Sequence, residues 1–563
     1  MKHKLLIYQV LPRLFGNNKQ ANRFNGTLKD NGCGKFEVFT SKALEEIKGL
    51  GITHIWYTGV LEHATKTDYS EIGIRPDHPA VVKGNAGSPY AIKDYYDVDP
   101  DLAVKPKNKL KEFEALVDRT HATGLKVIID FVPNHLARQY HSDAKPEGVR
   151  DFGEDDDTGK CFSPQNNFYY LGNEVFAGQF NLYSGAPKPY TESPAKATGN
   201  DCFNAYPGMN DWYETIKLNY GVDYMNFRAA HFQETPDTWK KMLEVLLYWA
   251  GKRVDGFRCD MAEMVPVAFW EWAITKVKKK YPKVIFIAEV YNPAEYHNYI
   301  FNGKFDYLYD KEGLYNTLRA VTTSQTPASN ISNCWKQTDG YQERMLSFLE
   351  NHDEQRIASD FFAGNARHGI PGMIVCATMN TNPVMIYCGQ ELGEPGMDRE
   401  GFSGLDGRTT IFDYWNVESI SRWINKGAFD GSGLSEDQKE IRKFYQKLLG
   451  ITKKEACLKE GSFFDLMYVN DNNMSMNGKQ YMYLRKKENT LILVATNFSD
   501  TSLKLDIRIP LHAFEYYGIP IAGFVDVTEL LSGEKNKQLL SASVPFRVDL
   551  DGWSGKILKM KLS

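Results

Sequence analysis

The sequence predicts an α/β protein: a (β/α)8 TIM barrel with a small domain inserted after the third strand and an antiparallel β-sandwich at the C-terminal end. Three observations predict it. Eight short runs, most of them apolar on both faces, recur between residues 5 and 389 with amphipathic stretches between them. Residues 136–215 are rich in Asn, Gly, Pro and Asp and carry little helical period, over a length too great for a simple loop. After about residue 455 the pattern changes to alternating segments that end in turn residues, as in YMYLRKKENTLILVATNFSD.

The eight runs are LLIYQV (5–10), HIWYTGV (54–60), KVIIDFV (126–132), GFRCD (256–260), VIFIAEV (284–290), DYLYD (306–310), MLSFLEN (345–351) and PVMIYCG (383–389). Parallel strands covered by helices read this way. KLKEFEALVDRTHATG, before the third run, has a helical period and a stop at Gly124. TPDTWKKMLEVLLYWAGKR precedes the fourth and opens on a Thr/Asp cap signal. Residues 1–135 and 216–455 are therefore assigned to the barrel, 136–215 to the inserted domain and 456–563 to the β-sandwich. The acidic string EDDDTGK (154–160) reads as a solvated loop in preference to a cation site. The N-terminal MKHKLLIYQVLPRLFGN has an apolar run too short for a signal peptide, broken by Gln9, Pro12 and Arg13, and reads as the first strand.

Composition narrows the function. With 42% hydrophobic and 25% charged residues in 563, a large core needs no special staple. A net charge of −4 gives no footprint for nucleic acid or anionic lipid and favours a neutral substrate. Aromatics reach 13%, which suits either a large core or a groove that stacks sugar faces. The 8 cysteines are scattered without CxxC spacing, against a zinc cluster or a disulfide framework. A reducing, cytoplasmic setting follows as an expectation, and no segment approaches the 18 apolar residues of a membrane span. The oligomeric state is open.

Reacting groups of such a barrel lie at the C-terminal strand ends. The third strand ends in DFVPNH (Asp130, Asn134, His135), the fourth in GFRCD (Arg258, Asp260), the fifth in AEV (Glu289) and the seventh in ENHDEQR (His352, Asp353). Any one of these acids taken alone is more often a cap or a structural partner than a nucleophile. Glu289 stands apart: a carboxylate after FIA costs several kcal/mol to bury unless paired or protonated, the setting a general acid needs. Four strands delivering acids to one rim, with Arg and His beside them, has no simple structural explanation.

These segments resemble the four short conserved regions of the α-amylase family, glycoside hydrolase family 13. DFVPNH is similar to the first, GFRCDMAEM to the second, FIAEV to the third and FLENHD to the fourth, in the family's order. The resemblance extends over nearly the whole chain. It implies a retaining hydrolase of α-1,4-glucosidic bonds in starch, glycogen or maltooligosaccharides. Asp260 would be the nucleophile, Glu289 the acid/base, and Asp353 the group that holds the hydroxyls of the distorted sugar. Arg258 would keep Asp260 ionised, His135 and His352 would bind sugar hydroxyls, and Tyr90, in SPYAIKDYYDVDP, would form the platform under the sugar. The chemistry would need no cofactor. The resemblance also implies a structural calcium ion with Asn134 among its ligands. The other ligands have no match here, and Asn134 serves either that ion or the tie of the third-strand loop.

One departure stands out. Many family members carry Lys-His at the third and fourth positions after the nucleophile, where this chain has Glu263 and Met264. Product pattern is open for that reason. Three other readings remain: a transglycosylase or neopullulanase/cyclodextrinase-type enzyme, a glucan-binding paralogue without activity, and an unrelated metal-dependent hydrolase. The three acids weigh against the paralogue. The lack of a fitting His set weighs against the metal enzyme.

Overall fold

The computed structural model describes residues 4–562. The eight runs form one parallel barrel: β1 (Leu6–Val10), β2 (His54–Tyr57), β3 (Lys126–Phe131), β4 (Gly256–Cys259), β5 (Ile285–Ala288), β6 (Tyr307–Tyr309), β7 (Met345–Leu346) and β8 (Val384–Tyr387). Each pairs with its neighbours in sequence order, and β8 returns to β1. The last seam is narrow. Between β7 and β8 the contact is a single parallel bridge from Ser347 to Val384, carried by Ser347 N–H to Pro383 O (3.0 Å) and Met385 N–H to Ser347 O (2.9 Å).

Strand parity separates the two faces. Ile7, Trp56, Ile128, Ile287, Tyr309, Leu346 and Met385 fill the lumen as one apolar cluster. Their neighbours, such as Tyr8, Ile55, Ile129 and Phe286, join the larger cluster under the helices. Each such side chain stabilises the fold by roughly 1.5–3 kcal/mol through burial. The same parity carries Gln9, Asp130, Arg258 and Glu289 on the lumen side. They stand at the C-terminal mouth, above the apolar filling.

The helix Lys109–Ala122 ends as the sequence indicates: Thr123 N–H closes the last turn and Gly124 follows at φ +80°. The Thr/Asp cap signal before the fourth strand is not used. That helix, Asp237–Gly251, starts with Pro236 at the cap and no side-chain cap bond. Asp237 instead pairs with Lys241 at 2.9 Å, one turn on.

The insertion leaves and re-enters the barrel through an antiparallel ladder of His135–Ala137 with Thr215–Lys217. Within it, Phe176, Tyr190, Ala195 and Ala205 pack with Ala80 and Val81 of the barrel loop. Buried Arg138 bridges to Glu192 at 2.8 Å. The irregular stretch does not stop at residue 215 but runs on to Pro236, because turns and short bridges, not a helix, follow the ladder. The acidic string is exposed except at Asp156. Asp156 accepts the N–H groups of Asn167 and Phe168 and the Tyr170 hydroxyl, closing a turn of the insertion.

The C-terminal part is a six-stranded antiparallel sheet from Ser462 to Lys561, with a second ladder of Leu503–Ile507 and Phe546–Leu550. It packs on the barrel helix Ile370–Thr378, where Thr378 and Tyr483 share a hydroxyl bond of 2.5 Å. Among the described residues no helix is long and apolar enough to cross a membrane.

Candidate active site

A cavity of about 430 Å³ opens at the mouth of the barrel, lined by Tyr90, His135, Trp212, Asp260, Glu289, Tyr291 and Asp353, with Lys83, Glu214, Lys311 and Glu354 around them. Arg258 lies beneath it. This side chain is 1% exposed, and its two terminal nitrogens serve two acids: Nη1 lies 2.6 Å from Asp260 Oδ1 and Nη2 lies 2.8 Å from Glu289 Oε2. The contact with Glu289 is an ion pair off the hydrogen-bond axis. Nη1 also stands 3.6 Å from Asp130, and Nε donates to the Tyr309 hydroxyl at 3.1 Å. Arg258 and Asp260 are two residues apart, so parity aims both at the cavity.

Glu289 accepts two further bonds, from Met261 N–H at 2.7 Å and from the Tyr291 hydroxyl at 2.5 Å. The first depends on a left-handed backbone at Met261, φ +43° and ψ +43°. That conformation costs a residue with a side chain about 1–3 kcal/mol and recurs at functional sites. It turns the residue after Asp260 so that its N–H meets the neighbouring strand's carboxylate.

Asp353 and His352 follow β7. His352 Nε2 lies 2.5 Å from the Tyr90 hydroxyl and 3.1 Å from Asp353 Oδ2, while Nδ1 lies 2.8 Å from Gln9 Nε2. Gln9 Nε2 is a donor, so Nδ1 accepts and Nε2 carries the hydrogen. Burial pushes the His352 imidazole well below its ordinary range, and Arg258 adds to the fall. His135 falls for the same first reason, to about 3, with Lys217 and Lys83 contributing. Both rings are thus uncharged, suited to hydrogen-bonding neutral hydroxyls.

Burial pushes Asp260 well above the ordinary carboxylate range; Arg258 pulls it back and the Glu289 charge adds to the rise. Asp353 is pushed up to about 7 by burial and then by Glu289. Its side chain is 40% open to the cavity, so water screens part of this. Asp260 and Asp353 act on one another's charge, so their titrations are linked. A stability consequence follows. A carboxyl whose folded value lies above its ordinary 3.8 favours folding at low pH, and that contribution is lost as pH rises towards 7. Asp353→Asn is therefore expected to unfold at a higher temperature than wild type at pH 8, with the advantage gone at pH 4. Equal melting temperatures at pH 8 would contradict the elevation.

The cavity thus brings together Tyr90, His135, Asp260, Glu289 and Asp353, with Arg258 and His352 bonded to them from beneath. Asn134 stands apart. It lies behind His135, its Oδ1 accepting from Lys217 Nζ at 2.9 Å and its Nδ2 donating to Gly199 O at 2.7 Å.

Other polar groups at the strand ends support these. Asp130 anchors the mouth by accepting from Trp56 Nε1, Gly59 N–H and the Tyr90 hydroxyl at 3.1, 3.0 and 3.4 Å. Gln9 and Tyr309 are polar members of apolar runs, and parity alone could have flagged Gln9. The departure at Glu263 is also explained: its Oε2 accepts Tyr291 N–H and Asn292 N–H, both at 3.0 Å. It clamps the loop that carries Tyr291 instead of reaching into the cavity.

Residues 9–461 match the family model for the α-amylase catalytic domain. The chain belongs to the α-amylase family. It is a glycoside hydrolase acting on α-glucosidic bonds. Among curated relatives of this α-amylase-family chain, Alpha-amylase 2 of Dictyoglomus thermophilum is 21% identical over 503 residues, which is 88% of this chain and 69% of the relative. The Cyclomaltodextrinase of Thermoanaerobacter pseudethanolicus is 22% identical over 513 residues, 88% of this chain and 70% of that one. Among solved structures, the noncanonic maltogenic alpha-amylase AmyB of Thermotoga neapolitana superposes with a TM-score of 0.61 at 20% identity, covering 99% of both chains.

Proposed function

We propose that this α-amylase-family hydrolase cleaves α-1,4-glucosidic bonds of starch, glycogen or maltooligosaccharides with retention, through a covalent glycosyl-enzyme intermediate. The observation that carries this reading is the guanidinium of Arg258 shared between Asp260 and Glu289. A guanidinium that reaches both carboxyls holds them beside one cavity, as a double displacement requires.

In this reading Asp260 attacks the anomeric carbon while Glu289 gives its proton to the departing glycosidic oxygen. Glu289 then takes a proton from water, which releases the sugar with its α configuration. Arg258 balances the charge that shifts between the two acids, and Met261 N–H fixes the orientation of Glu289. Tyr90, held by Asp130 and His352, offers its ring to the apolar face of the sugar. His135 and Asp353 meet sugar hydroxyls, while His352, enclosed beneath them, holds Tyr90 and Asp353 in place, and the low values of both imidazoles keep them neutral. Proton NMR during hydrolysis of maltoheptaose tests the proposal: the α-anomer should appear first, and initial release of the β-anomer would reject the double displacement.

A cyclodextrinase-type or transglycosylating outcome would use the same acids with a different acceptor. Relatives named cyclomaltodextrinase and neopullulanase keep that reading alive. Chromatography of products from maltotriose, pullulan and β-cyclodextrin separates the two.

The clamp at Glu263 makes its own expectation. Glu263→Ala frees Tyr291 and should lower kcat about tenfold, with KM changing less, since geometry at Glu289 is disturbed. Glu263→Gln keeps an oxygen acceptor for both N–H groups and should recover most of the loss. Equal kinetics for Ala and wild type would remove the clamp from catalysis.

A further inference from the structure

Where the insertion meets the barrel, a buried lysine occupies the centre of a cation-binding arrangement. Lys217, the last residue of the returning ladder strand, is 1% exposed at its side chain. Its Nζ donates to Asn134 Oδ1 at 2.9 Å and pairs with Asp201 Oδ1 at 2.5 Å. It also faces the Tyr224 ring at 4.9 Å from the centroid. The acceptors come from separate pieces of chain: Asn134 from the loop after β3, Asp201 and Tyr224 from the insertion. Gly199 closes the joint, with its carbonyl on Asn134 Nδ2. A Cβ at Gly199 would stand 2.8 Å from His135 Cβ and 2.7 Å from Thr215 Oγ1, so the loop fits against the active-site histidine only without a side chain.

The resemblance to the α-amylase family implies a calcium ion with Asn134 as a ligand. The residues present do not fit one. Calcium takes six to eight oxygen ligands at 2.3–2.6 Å. Here the amide oxygen and the nearer carboxylate oxygen already face an ammonium, and Asp201 is the one acid on it. A divalent ion on the same oxygens would sit within a few ångströms of a positive charge whose stem is enclosed. Among the described residues no group of three or more His, Cys, Asp or Glu side chains forms a metal site.

We propose that Lys217 is itself the cation of this joint. Its ammonium holds Asn134 and Asp201 together, fixes the insertion against the loop that carries His135, and makes the site indifferent to calcium. The lysine is covalently part of the chain, so the joint assembles on folding and has no exchangeable component.

Thermal unfolding and calorimetry of the full chain test this. After EDTA treatment, wild type should melt at the same temperature with or without 5 mM CaCl2 (an arbitrary excess, on the order of the weakest calcium sites). Lys217→Met should melt about 5 °C lower or more, since two buried acceptors, one of them charged, lose their partner. Isothermal titration of EDTA-treated wild type with CaCl2 should show no binding that Asp201→Asn removes, and this arm stands even if Lys217→Met fails to fold. Calcium binding or calcium stabilisation of wild type that disappears in Asp201→Asn would overturn the proposal. So would an unchanged melting temperature for Lys217→Met.

Discussion

Glu289→Gln is expected to lower kcat/KM on maltoheptaose by at least about 10³-fold, with the far-ultraviolet spectrum and the melting transition of a folded protein. Gln keeps the volume of Glu289 and an oxygen for Met261 N–H, and its amide can donate to the Tyr291 hydroxyl in place of accepting from it, so the geometry around it survives. It has no proton to give a departing oxygen. Substrates whose leaving group needs no protonation, such as 2,4-dinitrophenyl α-maltoside, should recover much of the first step. Their second step should remain slow, and azide should speed it. An equal loss on activated and natural substrates would move the acid role to another group. An inactive wild type, by contrast, would point to a glucan-binding paralogue.

Arg258→Met is expected to produce the largest combined loss. It leaves Asp260, Glu289 and Asp130 buried without their shared cation, and breaking a buried pair on one side costs about 3–5 kcal/mol. The sign with pH is fixed by the acids that remain. Burial already raises Asp260, and Arg258 is what draws it down. Without the guanidinium Asp260 and Asp130, both raised by burial, cling to their protons, so the penalty grows as pH rises. Denaturant midpoints should therefore lie further below wild type at pH 8 than at pH 5. Arg258→Met/Asp260→Asn should regain part of the stability, because one orphaned charge is gone. Activity should be lost in both, and a uniform stability loss across pH would show that packing, not charge, is what Arg258 supplies.

The barrel and its acid set were legible in the sequence because both follow from parity. Runs apolar on both faces announced parallel strands, and the polar residue at each C-terminal end had to face the mouth. Asp260 and Glu289 reached one cavity for that reason; Asp353 and His135 lie in the segments that follow β7 and β3, and Tyr90, on a loop, was indicated only by the resemblance. The joint around Lys217 was not legible: Asn134 and Lys217 are 83 residues apart and meet only when the insertion closes. Sequence left Asn134 between a calcium ligand and a tie of the third-strand loop. The Glu263 clamp was hidden likewise, because it joins the loops after two neighbouring strands and has no pattern within either. The helix before β4 shows the opposite case, where a local cap signal yielded to an ion pair one turn along. The turn-rich stretch between the ladder at Thr215–Lys217 and Pro236 was not legible as such, because no marker separates it from the barrel.

The seam beside β7 sets where this barrel is weakest. Seven of the eight joins are held by ladders of several residues or at least two paired positions, whereas the eighth rests on two bonds around Ser347. Amide protons there should exchange sooner than those of the laddered strands. His352 and Asp353 follow that short strand, so a local opening at the seam should reach their side of the mouth before it reaches Asp260 and Glu289, whose strands meet across four paired positions. The firmer joint thus lies between Asp260 and Glu289, and the looser one beside Asp353.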